Sequence, residues 1–94
     1  MKGYWLAHVT VHDPKQYQRY TALAPQAFAA YHGKLLARGG RYKQLEGEER
    51  QRHVVIEFPS FESALECYHS EAYQQAAAQR KGVATAEVTI VEGT

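Results

Sequence analysis

A chain of 94 residues, 45% hydrophobic and 22% charged, has an ordinary globular composition, and its length predicts one domain over residues 1–94. Its formal net charge of +1 offers no basic excess to attract nucleic acid, and no acidic tract suggests a solvating tail. No apolar run is long enough to span a bilayer, and the single cysteine excludes an intrachain disulfide, which fits a cytoplasmic location.

Met1-Lys2-Gly3-Tyr4-Trp5 enters a strand-like segment at once, leaving no room for a signal peptide. Tyr4 to Val11, YWLAHVTV, is rich in aromatic and β-branched residues and reads as a strand. Its two alternating sets are both largely apolar: Trp5, Ala7, Val9 and Val11 on one face, Tyr4, Leu6, His8 and Thr10 on the other. A strand with one covered face would alternate more cleanly, so this sheet is expected to be covered on both. Asp13-Pro14 marks a helix start, with Asp as N-cap and Pro where its missing N–H costs nothing. Tyr17, Tyr20, Thr21, Ala24, Ala27, Phe28 and Tyr31 then recur at helical spacing up to Gly33, the expected stop. Pro25 is expected to kink this helix or split it near Ala24.

Lys34 to Gln44 reads as a second strand with a bulge or bend at Arg38-Gly39-Gly40-Arg41. After a polar turn at Glu46-Gly47-Glu48-Glu49, Arg52 to Phe58 forms a third strand. Pro59 ends it, Ser60 caps a second helix, and a further short helix follows from Ser70. Ala86 to Glu92 is the fourth strand. The order predicts an α+β, ferredoxin-like βαββαβ fold: a four-stranded antiparallel sheet with helices on one face. The helix-free face would expose Leu, Val, Tyr and His, and so small a domain buries only about 60–70% of its unfolded surface. A homodimer packed sheet on sheet satisfies both.

The stretch EFPSFESALECYHSEAYQ gathers reactive residue types, with Cys67 beside Tyr68 and His69. On a helix, residues two apart do not face each other, so Cys67 and His69 make no nucleophile–base pair. Phe61, Ala64, Leu65 and Tyr68 read as the buried stripe, with Cys67 a small apolar filler at its flank. His8 and His12 lie roughly 13 Å apart along a strand, too far to share a metal, and no metal site or cofactor is expected. The strand RHVVIEF lacks the aromatic pattern of RNA-recognition domains, so no nucleic-acid partner is expected.

The candidate catalytic residues are His8, a mid-strand imidazole able to act as general base near neutrality, and Glu57. Glu57 would orient His8 or pair with an arginine such as Arg38 or Arg80. Arg38 and Gly39, from the glycine-rich bend, are the candidate anion-binding pair. Tyr68 and Ser60 complete the candidate substrate-binding set.

The segments KGYWLAHVTVHDPKQYQRY, LARGGRY, VVIEFPSFESALECYHSEAYQ and a closing VEG, in this order, resemble DUF1330, a small bacterial family of the dimeric α/β-barrel superfamily. Cys67 stands where that family commonly has Trp, and Glu71 where Pro is common. The family name records no established function. The resemblance implies a cavity between sheet and helices for a small aromatic or acidic metabolite. It leaves open a cofactor-free enzyme, monooxygenase- or isomerase-like, or a non-enzymatic ligand-binding or stress-associated dimer.

Overall fold

The computed structural model describes every residue from 1 to 94. Seven elements follow in chain order: β1 (Gly3–Val11), α1 (Pro14–Ala30), β2 (Lys34–Arg38), β3 (Arg52–Phe58), α2 (Phe61–His69), α3 (Glu71–Ala78) and β4 (Ala84–Glu92). The strands form one antiparallel sheet in the order β2-β3-β1-β4, which is the expected ferredoxin-like fold. No helix is long and apolar enough to cross a membrane.

Local signals explain the helix starts. Asp13 accepts a hydrogen bond from the Gln16 amide, Ser60 from that of Ser63 and Ser70 from that of Tyr73. Pro25 does not split α1, which runs through it as one helix. The helix ends three residues before Gly33, and the left-handed residue is His32, with φ of 62°. The Gly33 amide donates to the Phe28 carbonyl and the His32 amide to that of Ala29, a Schellman closure with His32 in the place usually taken by glycine. Gly33 is held to glycine by packing instead, since a Cβ there would lie 2.9 Å from the Phe58 ring.

Two expectations about the strands are corrected. β2 stops at Arg38 rather than Gln44, because Gly39 takes φ of 65° and turns the chain out of the sheet after one last bond from its amide to the His53 carbonyl. The irregularity in β2 falls between Leu35 and Ala37, not in the glycine pair: Leu35 faces Ile56, Ala37 faces Val55 and Arg38 faces Val54. One extra residue is accommodated at Leu36, a β-bulge without a glycine to announce it.

The core lies between sheet and helices, centred on Trp5, which is 1% exposed. Phe28 and Tyr73 meet its ring edge-on, with centroids 5.2 and 4.8 Å away, and Phe58 stacks at 6.0 Å. The inward face of α2 is set by Ala64 and Cys67, both fully buried, while Phe61, Leu65 and Tyr68 are half-buried. Cys67 is therefore central to the stripe and not at its flank. Its small side chain lets α2 approach α1 closely enough for Sγ–H to donate to the Ala27 carbonyl at 3.5 Å.

Candidate functional site

The register decides which side chains can meet. Trp5, Ala7 and Val9 of β1 share the helix-covered face, opposite Ile56, Val54 and Arg52 of β3. Tyr4, Leu6 and His8 point to the helix-free face, opposite Glu57, Val55 and His53.

On the covered face, sheet and α1 line a cavity of about 130 Å³ that is partly open to solvent. Trp5, Ala7, Val9, Val54 and Leu35 form its sheet wall, and Ala24, Pro25 and Phe28 its helix wall. The polar lining is Tyr17, Tyr20, Thr21, Arg38 and Arg52. Arg38 enters only because of the bulge at Leu36. In regular pairing Ala37 would face Val54 and point inward, and Arg38 would project to the other side. The extra residue restores Arg38 to the face of Leu35, diagonal to Arg52, a spacing of about 7–8 Å between neighbouring strands.

Gly39 does not line the cavity, but it fits Arg52. A Cβ there would sit 2.7 Å from Nη1 of Arg52, so the guanidinium lies over bare backbone at the end of β2. Arg50, paired with Glu48 and Glu87, makes the chain's only ion pairs, so neither Arg38 nor Arg52 has a carboxylate partner. Burial raises the pKa of the Tyr17 hydroxyl, outweighing the lowering pull of the Arg52 and Arg80 guanidiniums. Burial also raises that of Tyr20, reinforced by Tyr73, whose hydroxyl is 2.9 Å away. Both phenols stay protonated near neutrality. Arg80 lies behind them, 5.3 Å from the centre of the Tyr20 ring and donating to the Tyr73 hydroxyl at 3.3 Å. Burial opposes its charge, but the bonds to Tyr73 and Tyr20 prevail and raise its pKa.

The other sequence candidates lie elsewhere. His8 is exposed on the helix-free face, its Nδ1 2.8 Å from Nδ1 of His53. The His53 Nε2–H donates to the Arg50 carbonyl at 3.0 Å, so a neutral His53 accepts from His8. Glu57 lies four positions from His53 along β3, about 13 Å, and accepts a 3.1 Å hydrogen bond from Tyr4. That bond raises the Tyr4 pKa. Glu57 thus does not orient His8, and neither shares the cavity with Arg38. Ser60 is engaged as the α2 cap, and Tyr68 packs 5.7 Å from Trp5 outside the cavity lining. Burial raises the Cys67 thiol to about 11, so it offers no thiolate near neutrality. No three metal-ligating side chains come together. Arg52 was overlooked in the sequence, although it shares the alternation of Val54, Ile56 and Phe58 and could have been assigned to the inner face.

Similar folds occur among solved structures. The RPA0582 protein of unknown function from Rhodopseudomonas palustris is 17% identical, with a TM-score of 0.79 over 99% of this chain and 82% of its own. SnoaB, a cofactor-independent oxygenase from Streptomyces nogalater, is 15% identical, with a TM-score of 0.66 over 99% of this chain and 93% of its own. A dimeric protein of unknown function with a ferredoxin-like fold, from Bacteroides fragilis, is 9% identical, with a TM-score of 0.59 over 98% of this chain and 96% of its own. No curated protein matches the chain. The profile of DUF1330, a domain of unknown function, matches residues 2–94, and the chain belongs to that family.

Proposed function

We propose that this protein binds a small aromatic or acidic organic molecule in the cavity between sheet and helices, and does so as a homodimer. The observation that carries the first part is the cavity itself, apolar on both walls, with two guanidiniums and two protonated phenols converging on it. None of its lining residues carries an imidazole or carboxylate, so the residues suited to proton abstraction, His8 and Glu57, lie on the wrong side of the sheet for it. Binding is therefore better supported than base catalysis, and the likeness to SnoaB is one of fold.

The dimer is supported by the helix-free face, where Leu6 faces Val55 and Tyr4 faces Val91, which is 45% exposed. A second copy packed sheet to sheet would cover this face, and His8, His53, Tyr4 and Glu57 would then be interface residues. Light scattering should give twice the 10.6 kDa chain mass, reduced to one chain by Leu6→Glu. A monomeric mass for the unaltered protein at micromolar concentration would refute the dimer. For the cavity, a ligand-observed NMR screen of small aromatic and acidic metabolites should yield binders that Thr21→Trp displaces. If every binder survives that filling of the cavity, the proposed site is wrong.

A further inference from the structure

We infer that the ligand of this cavity is a monocyclic carboxylic acid, with its ring among Trp5, Phe28 and Val54 and its carboxylate held by Arg38 and Arg52. The inference rests on the reading of the cavity as a ligand site and assigns that ligand's chemistry. Size sets the first limit. A cavity of about 150 Å³ lined by aliphatic and aromatic groups accepts benzene, and the volume here is about 130 Å³. One ring fits between the walls, with its substituent reaching the polar end, whereas a fused bicyclic system exceeds that volume and would leave one ring in the open mouth.

Charge sets the second. Arg38 and Arg52 are the only charged residues of the lining, and no carboxylate of the chain pairs with either. Arg52 is half-buried, so its guanidinium has given up part of its hydration without gaining a counter-ion. The planar fork of guanidinium donors matches a carboxylate bidentately, and two forks on diagonal strand positions can take one oxygen pair between them. The Tyr17 hydroxyl, beside Arg52, adds a neutral donor. Sheet geometry supports the pairing independently. The bulge at Leu36 puts Arg38 on the inner face, and the bare Gly39 backbone leaves room for Arg52 next to it.

Trp5 is the only tryptophan of the chain and lines the cavity, so its fluorescence and its indole N–H resonance both report on occupancy. The test titrates benzoate, benzyl alcohol and 2-naphthoate into the unaltered protein and into Arg38→Gln, Arg52→Gln and Arg52→Lys. Benzoate should perturb Trp5 and bind at least tenfold more tightly than benzyl alcohol, and 2-naphthoate should not compete. Each Gln variant should weaken benzoate by at least tenfold, about 1.4 kcal/mol, and leave benzyl alcohol unchanged. Arg52→Lys should recover only part of the affinity, since the charge returns without the fork. Arg38 is exposed at a strand end, so its variant remains informative if Arg52→Gln unfolds. Benzyl alcohol binding as well as benzoate would overturn the carboxylate assignment while leaving the ligand site standing. Tight binding of 2-naphthoate would overturn the one-ring limit. If no probe perturbs Trp5, the cavity reading and this inference both fail.

Discussion

Gly39→Ala probes the local geometry on which the arginine pair depends. Gly39 has φ of 65°, in the left-handed region where an L side chain costs about 1–2 kcal/mol. The new Cβ would lie 2.7 Å from Nη1 of Arg52, well inside contact distance. Because that atom ends a flexible side chain, the guanidinium swings aside and the clash itself adds little. Restricting the unfolded chain favours alanine by about 0.4–1 kcal/mol. The net expectation is a loss of about 1 kcal/mol, or ~4–8 °C in Tm for a domain of this size. Gly40→Ala supplies the control one residue away. Nothing lies within 4 Å of a Cβ there and its φ is outside the left-handed region, so its stability should be unchanged or slightly raised. Urea unfolding followed by Trp5 fluorescence reads both variants, and an unchanged m-value keeps the midpoints comparable. Equal midpoints for the two would refute the reasoning. Displacing Arg52 should also weaken benzoate severalfold in Gly39→Ala and not in Gly40→Ala.

Three further outcomes are expected. His32→Gly should stabilise the protein by about 1 kcal/mol, since glycine takes the left-handed position of the α1 closure without strain; a lower urea midpoint would contradict that account. Cys67 is fully buried and its thiol titrates at about 11, so a disulfide reagent at pH 8 should label it only at the rate of opening, and urea should accelerate labelling; fast labelling of the native protein would place it on the surface. Stability should fall as pH rises through the alkaline range. The folded pKa of Cys67 and of Tyr20 is raised, so the stability each contributes is complete below the unfolded values of 9.0 and 10.0 and declines above them. Each group adds a slope of up to about 1.4 kcal/mol per pH unit in its window. Tyr20→Phe should flatten the decline above pH 10, as urea midpoints at pH 8 and 11 would show, and an equal decline in the variant would assign the effect elsewhere.

Most of the fold was legible because its signals are local. Asp13-Pro14, Ser60 and Ser70 mark helix starts by chemistry that needs no tertiary partner, and the apolar sets of β1 and β3 are apparent at period two. The alternation even separated Trp5 from His8 correctly. It also put His8 on the helix-free face, yet both His8 and Glu57 were kept as candidates for a site that lies on the covered one. The end of α1 was displaced because glycine was expected in the left-handed position, whereas Gly33 is required by the Phe58 ring behind it. The burial of Cys67 depends on the closeness of α1 and α2, a tertiary matter that helical spacing alone does not reveal. Arg38 reached the candidate list through the glycines beside it, yet its position comes from the bulge at Leu36, where no residue type marks one.

That bulge makes pairing register, and not side-chain chemistry alone, a determinant of what the protein recognises. Were Leu36 held in the ladder opposite Val55, every residue from there to the strand end would reverse its orientation. Ala37 would then face the cavity opposite Val54, and Arg38 would project from the helix-free face opposite His53. The ligand site would lose one of its two cations while the surface proposed for the second copy gained one. Deleting Leu36 has no such effect, because Ala37 stays opposite Val55 and Arg38 opposite Val54 in a ladder that is now regular. A chain one residue shorter should thus keep both ligand binding and association, because the extra residue is one that the cavity needs out of the ladder and not in it.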